Sequence, residues 1–174
     1  MNQENTADVL NYDDNNKPKL PGGLNVLTIL TFIGCALQLL SSGWGFISAK
    51  KSYDGIDKLR EQMNSENMPS WVKSMMGDPE KMFAIITKSY ENRIPILLLS
   101  LVAAGLCFYG ALQMRKLKKQ GFLFYTIGEL LPFLTQFLFI GAFAFAGFVM
   151  YFFIGLTLLF IFLYSMQRKK LIYP

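Results

Sequence analysis

The sequence predicts an all-α integral membrane protein with four transmembrane helices and an extracytoplasmic amphipathic helical excursion between spans one and two. The 174 residues are 52% hydrophobic and 17% charged, and the mean hydropathy is +0.31, outside the usual range of soluble proteins. The stretch from Gly121 to Met166 contains one charged side chain, Glu129. Because a helix crosses a bilayer with about 20 apolar residues, this stretch has room for two spans. Apolar runs at 24–48 and 94–114 supply the other two.

The charged residues and the cysteines exclude several functions. The formal net charge is +5, but the basic residues stand at the ends of the apolar runs, where they orient membrane segments, so we expect no nucleic-acid partner. The chain contains no histidine, the commonest general base and a frequent metal ligand, and we expect no metal and no cofactor. Cys35 and Cys107 lie in apolar runs, where a free thiol behaves as a small apolar side chain.

Residues 1–23 are predicted to form a mobile cytoplasmic tail, because the segment is polar and rich in Asn, Pro and Gly. The first span is predicted at 24–48. Four small or weakly polar residues recur on one face of this helix, namely Gly34, Gln38, Ser41 and Gly45. Since such a face permits close helix contact in membranes, we expect it to point into the protein.

Residues 49–93 carry eight basic and seven acidic residues and are predicted to form short amphipathic helices outside the bilayer. One apolar helical face lies within residues 56–63, and a second helix is predicted to begin at residues 69–70. A third helix is predicted to start with Asp78 as its N-cap and Pro79 as its first residue. Because the apolar faces are too small for a separate core, we expect this excursion to dock on the membrane or on the bundle.

The second span is predicted at 94–114 and carries its own face of small residues, namely Ser100, Ala104, Cys107 and Ala111. Two such faces on consecutive spans suggest that spans one and two pack directly. A basic loop at 115–121 follows, with four positive charges and no acidic residue. This loop is the densest orientation signal in the chain.

The orientation follows from the positive-inside rule, which places short basic loops in the cytoplasm. The loop at 115–121 and the basic tail at 167–174 are both predicted to be cytoplasmic, and the two spans between them make the signals agree. The N-terminal tail is then cytoplasmic as well. Basic residues at the two ends of the excursion oppose this assignment, but seven acidic residues dilute them.

The third span, predicted at 122–142, contains the candidate site. Four residues share one helical face, namely Tyr125, Glu129, Pro132 and Gln136. Glu129 lies about 10 Å from the cytoplasmic end of the span, at about 1.5 Å per residue. A carboxylate at that depth must be paired, protonated or hydrated, which makes it a candidate ion or proton site beside a kink at Pro132. The sequence favours a second interpretation, a polar staple, in which Glu129 is protonated and hydrogen-bonded to Gln38, Tyr125 or a serine on a neighbouring span.

The fourth span is predicted at 145–166, after a hairpin at 141–147, and it is rich in phenylalanine and tyrosine. Gly147 and Gly155 lie at helical spacing, and we expect them to be helix-packing positions. The remaining surface is bulky and is expected to face lipid or a partner protein.

Several segments carry a resemblance to a protein family. The excursion sequence NMPSWVKSMMGDPEKM, the SYENRIP that follows it, and QMRKLKKQGFLFYTIGELLP resemble a family of small four-span inner-membrane proteins of Bacteroidota-type bacteria. The resemblance covers roughly residues 18–165. It implies a bacterial cytoplasmic membrane and a hydrophobic bundle, and it implies no activity, cofactor or catalytic residue.

The sequence leaves functions from different classes open. The first is a non-enzymatic accessory or scaffold element that packs against other membrane proteins or against itself, as the small-residue faces and the aromatic last span indicate. The second is a small carrier or channel subunit in which Glu129 binds a cation or proton, with Gln38 and Gln136 as polar companions. A third, a lipid-modifying enzyme using Glu129 and Tyr125, lacks a histidine or a second carboxylate to complete a proton relay.

Overall fold

The computed structural model describes residues 20–64, 78–145 and 148–173. These residues form six α-helices, namely α1 (Gly22–Asp54), α2 (Ile56–Asn64), α3 (Pro79–Glu91), α4 (Arg93–Arg115), α5 (Gln120–Phe139) and α6 (Phe148–Gln167). Short 3₁₀ turns follow α5 at Ala142–Phe145 and α6 at Arg168–Lys170. The predicted tail up to residue 19, the helix predicted at residues 69–70 and Gly147 lie outside the described residues.

Four segments are long and apolar enough to cross a membrane, namely α1, α4, α5 and Met150–Lys170, which covers most of α6 and the turn after it. This confirms the prediction of an all-α membrane protein with four spans. Helix α1 continues past residue 48, where the first span was predicted to end, because nothing interrupts its backbone bonds before Gly55, whose N–H closes the helix on Lys51 O. At about 1.5 Å per residue, α1 exceeds the hydrocarbon core of about 30 Å, and its last turns extend beyond it.

The excursion helices contact this extended end of α1. Asp78 caps α3, as the sequence predicts, since its carboxylate accepts a hydrogen bond from Glu80 N at 3.1 Å. The rings of Tyr53 at the end of α1 and Tyr90 in α3 stack with centroids 4.5 Å apart. In α2, the Arg60 guanidinium lies over the ring of Phe83 in α3. The described parts of the excursion therefore pack on one another and on α1.

Helices α4 and α5 form the closest helix pair, because three glycines bring their backbones into contact. A Cβ atom added at Gly110 would lie 2.6 Å from Tyr125 N, and one at Gly121 would lie 2.6 Å from Gly110 O. A Cβ at Gly128 would lie 2.8 Å from Cys107 N. Small residues allow this kind of approach between membrane helices.

The other two spans pack on this pair to different extents. Helix α1 contacts α4, where Cys35 Sγ donates to Ala104 O at 3.6 Å and the rings of Phe32 and Phe108 lie 5.1 Å apart. Spans one and two therefore pack directly, but through Phe32 and Cys35 of α1. The predicted face of Gly34, Ser41 and Gly45, which we expected to point into the protein, is exposed instead. The last span is peripheral, because 6% of its most apolar stretch is buried, compared with 28% of the corresponding stretch in α1.

The chain end returns to the basic loop between α4 and α5. The backbone N–H groups of Ile172 and Tyr173 both donate to Leu117 O at 3.0 Å, and Lys119 N donates to Tyr173 O at 2.8 Å. Leu117 takes a left-handed φ of 58° to make this contact, and both Leu117 and Leu171 are buried. The basic loop and the basic tail therefore lie side by side at one end of the bundle.

Candidate functional site

A cavity of about 230 Å³ lies between α1, α4, α5 and α6. Its polar lining comes from three of the helices, namely Thr31 and Gln38 from α1, Tyr125 and Glu129 from α5, and Thr157 from α6. Three of the four residues that the sequence singled out as a candidate site, Gln38, Tyr125 and Glu129, therefore face one space. We call it the Glu129 cavity.

The glycine contacts between α4 and α5 set the direction of the acidic side chain. Gly121 and Gly128 hold one face of α5 against α4. Glu129 follows Gly128 by one residue, about 100° further around the helix axis. Its carboxylate therefore faces the cavity beside α1 and α6 instead of the α4 backbone.

The polar groups of the Glu129 cavity are incompletely paired. Thr157 Oγ1 donates to Glu129 Oε2 at 3.5 Å, which is long for a hydroxyl donor, whose usual range is about 2.5–3.0 Å. No described cation pairs with Glu129. The Tyr125 hydroxyl lies within hydrogen-bonding range of the Glu129 side chain, but outside the geometry of a good hydrogen bond. Buried polar groups usually have a partner, so this cavity has unused capacity for a water molecule or an ion.

Polar contacts lie between this cavity and the basic end of the bundle. Arg115 Nη1 donates to Thr28 Oγ1 at 3.3 Å, and one turn further along α1 the hydroxyls of Thr31 and Tyr164 are 2.8 Å apart. The Tyr164 ring packs on Tyr125, with centroids 4.4 Å apart. The sequence analysis did not name Thr28, Thr31, Thr157 or Tyr164. The signal that could have found the first two is the polar face of α1 that Thr28, Thr31 and Gln38 share.

Gln136, the fourth predicted site residue, lies elsewhere. It lines a second cavity of about 310 Å³ together with Arg93 and several serines. Pro132 stands inside α5 and lines a small cavity of about 60 Å³ with Thr135 and Gln136. The polar face of α5 is therefore divided between two sites two helical turns apart.

Comparison with family models, curated proteins and solved structures finds no match for this chain. The chemistry of the cavity is therefore the basis for assigning a ligand. A single carboxylate balances one positive charge, and the neutral oxygens of Gln38, Tyr125 and Thr157 are hard donors. Among the described residues, no three His, Cys, Asp or Glu side chains come together as metal ligands. This donor set suits a proton or a monovalent cation.

The predicted packing residues fall into two groups. On α4, Ala104, Cys107 and Ala111 are buried and Ser100 is half-buried. On α1, by contrast, Gly34, Ser41 and Gly45 are exposed, and so is Gly155 on α6. A Cβ atom added at any of these three glycines would meet no atom within 4 Å. These exposed positions therefore border open space and do not form close helix contacts within the described part of this chain.

Both cysteines line the Glu129 cavity and both are free thiols. Cys35 Sγ donates to Ala104 O at 3.6 Å, and Cys107 Sγ donates to Tyr125 O at 3.8 Å. They pack as small side chains at the contacts of α4 with α1 and with α5, in the way that their apolar sequence surroundings predict.

Proposed function

We propose that this multi-pass membrane protein is a small carrier or channel subunit that binds a proton or a monovalent cation at Glu129. The observation that supports the proposal is the position of the carboxylate, which faces a cavity of about 230 Å³ between four spanning helices. Neutral oxygen donors from α1, α5 and α6 surround it, and no described cation pairs with it. An intramembrane acidic residue in such surroundings is typical of ion and proton pathways.

The polar-staple hypothesis explains the same residue less well. A staple is held by short hydrogen bonds, whereas the Thr157 contact measures 3.5 Å and the interaction between the Tyr125 hydroxyl and Glu129 falls outside good hydrogen-bond geometry. Because both contacts are weak, the carboxylate can still accept a hydrogen bond from water or bind a cation, which supports a binding site over a closed structural contact.

The proposal predicts that Glu129→Gln abolishes ion movement without unfolding the protein. The amide keeps the shape of the side chain but cannot take up a proton or balance a cation. The measurement is proton flux in proteoliposomes with an internal pH dye, and sodium or potassium flux with ion-selective dyes. We expect flux above that of empty liposomes for the parent and background flux for the variant.

The matched control is Glu91→Gln, which makes the same change at an exposed glutamate outside the spans and is expected to keep the parent flux. Infrared difference spectra of the reconstituted parent should show a carboxyl band that changes with pH or with added cation and is missing in Glu129→Gln. Background flux for the parent, together with a carboxyl band that responds to neither, would refute the proposal. That result would favour the polar-staple hypothesis, in which Glu129 makes only structural hydrogen bonds.

A second candidate function, an accessory or scaffold element, is favoured by the exposed small-residue face of α1. Gly34, Ser41 and Gly45 are exposed, a Cβ atom added at either glycine would meet no atom within 4 Å, and the aromatic last span is largely unburied. Close packing on such a face needs another membrane protein or a second copy of this chain. Absence of flux in the liposome experiment would leave this function as the favoured one.

For the location, we propose a bacterial cytoplasmic membrane, as the family resemblance implies, with both termini in the cytoplasm. The contact of Leu117 with Ile172 and Tyr173 supports a common side for the basic loop and the C-terminal tail, and the positive-inside rule assigns basic segments to the cytoplasm.

This orientation predicts the labelling of single cysteines in intact cells. In a chain with Cys35 and Cys107 replaced by alanine, a cysteine at Lys58 is expected to react with a membrane-impermeant maleimide, and one at Lys118 is expected to react only after the cells are opened. Both positions are exposed in the structure, so accessibility differs only by the side of the membrane. The reverse labelling pattern would invert the orientation.

A further inference from the structure

The second cavity, of about 310 Å³, lies at the end of the bundle where the excursion begins. It lies between the later turns of α1, the end of α3, the start of α4 and the end of α5. Its lining contains one charged residue, Arg93, and no Asp or Glu. We call it the Arg93 cavity. It is separate from the Glu129 cavity and shares no lining residue with it.

The Arg93 guanidinium is oriented by two aromatic rings. It lies 4.5 Å from the ring centre of Tyr90 and 5.7 Å from that of Phe46. Cation–π contacts of this kind position the guanidinium without using its N–H groups as hydrogen-bond donors to another residue. The Arg93 guanidinium makes no ion pair or hydrogen bond with any described residue. The guanidinium N–H groups of Arg93 are therefore free to bind an anion.

Neutral donors accompany the guanidinium. The hydroxyls of Ser41 and Ser89 and the amide of Gln136 line the Arg93 cavity, and none of them has a hydrogen-bond partner among the described residues. Each can donate a hydrogen bond to an anion. Guanidinium and hydroxyl donors with no acid beside them match a phosphate group, to which arginine binds through two parallel N–H bonds.

The place of the Arg93 cavity in the bundle favours the phosphate of a lipid. Arg93 is the first residue of spanning helix α4, which puts its charge where that helix leaves the hydrocarbon region. The same cavity is also lined by four apolar side chains that can contact lipid acyl chains, namely Phe46, Ile96, Leu97 and Ile140. A phosphate at the level of Arg93 with hydrocarbon below it is the arrangement of a phospholipid.

We propose that the Arg93 cavity binds the phosphate group of an anionic phospholipid, with Arg93 as the principal ligand and Ser41, Ser89 and Gln136 as accessory donors. A bound lipid would couple the outer ends of α1, α4 and α5 to the excursion helix α3. It also explains why an arginine, four serines and a glutamine face one space.

The test uses the full-length protein purified in a neutral detergent and measures its melting temperature and its bound ligands by native mass spectrometry. The probes are phosphatidylglycerol, inorganic phosphate, glycerol 3-phosphate and diacylglycerol. We expect phosphatidylglycerol to bind and to raise the melting temperature, and diacylglycerol, which has no phosphate, to do neither. Because a hydrogen bond to a charged group contributes about 1.5–3 kcal/mol, Arg93→Gln should weaken phosphatidylglycerol binding by about tenfold or more.

The matched control is Arg60→Gln, which removes another guanidinium stacked on an aromatic ring but lies outside the Arg93 cavity, and it should bind like the parent. If Arg93→Gln does not fold, Arg93→Lys and the double change Ser41→Ala with Ser89→Ala replace it, and each should weaken binding. Binding of glycerol 3-phosphate or inorganic phosphate with the same dependence on Arg93 would support the site and assign it to soluble phosphates. Equal binding of diacylglycerol, or equal losses at Arg93 and Arg60, would overturn the proposal.

Discussion

Replacing Gly121 with alanine is expected to force α4 and α5 apart and to lower the melting temperature of the protein in detergent sharply. The new Cβ would lie 2.6 Å from Gly110 O and 2.7 Å from Met114 N. These are backbone atoms, so no side-chain rotation can relieve the overlap. Overpacking in a closely packed region costs about 1–3 kcal/mol. Gly128→Ala adds a second overlap against Cys107 N at 2.8 Å, and the double variant is expected not to fold.

Gly34→Ala and Gly155→Ala are the controls, because the added methyl group would meet no atom within 4 Å at either position. Both should melt at or slightly above the parent temperature, since alanine favours a helix by up to about 1 kcal/mol over glycine. Equal melting temperatures for Gly121→Ala and Gly34→Ala would contradict the backbone contact between α4 and α5. A marked loss at Gly34 would instead point to packing of that face against a second chain.

Leu171→Ala is expected to detach the C-terminal segment from the basic loop and to destabilise the last span. Leu171 is 2% exposed and belongs to the core cluster that contains Leu24, Leu117 and Tyr164. Truncating a buried leucine costs about 2–5 kcal/mol. The effect on the last span should be large because that span has little other burial. The measurements are the melting temperature and the rate of proteolysis after residue 167.

Ile172→Ala provides the control for this truncation, because the neighbouring side chain is 36% exposed and its backbone bond to Leu117 O does not depend on the side chain. It should change stability by less than about 1 kcal/mol, as surface substitutions usually do. If both variants lose the same stability, or if neither does, the C-terminal segment does not contribute to the core.

Part of the candidate site was predictable from helical periodicity. Tyr125 and Glu129 are four residues apart, which places them on one face of α5 whatever surrounds the helix. Gln38 could be named as a companion only because it is polar in an apolar run. That it meets Glu129 while Gln136 lines another cavity depends on the depth and rotation of neighbouring helices. Periodicity within one helix contains no information about either.

Small residues illustrate the same limit. Gly34 and Gly45 on α1 and Gly110, Gly121 and Gly128 on α4 and α5 are equally small, yet the first two are exposed and the other three touch backbone. A glycine permits close approach without specifying which helix approaches. The α4 and α5 glycines meet because a short basic loop makes these helices antiparallel neighbours, and because Gly110 faces Gly121 and Tyr125 when the loop closes.

The sequence by itself determined the membrane location, the four spans and the presence of one intramembrane carboxylate. These follow from the length of the apolar runs and from the cost of placing charge in hydrocarbon, both of which are summed along the chain. Tertiary structure alone decided which helices touch, which side chains share the Glu129 cavity, and that Arg93 occupies a separate one. Those outcomes depend on helix rotation and on contacts of a few ångströms between residues far apart in the chain, and no local pattern encodes them.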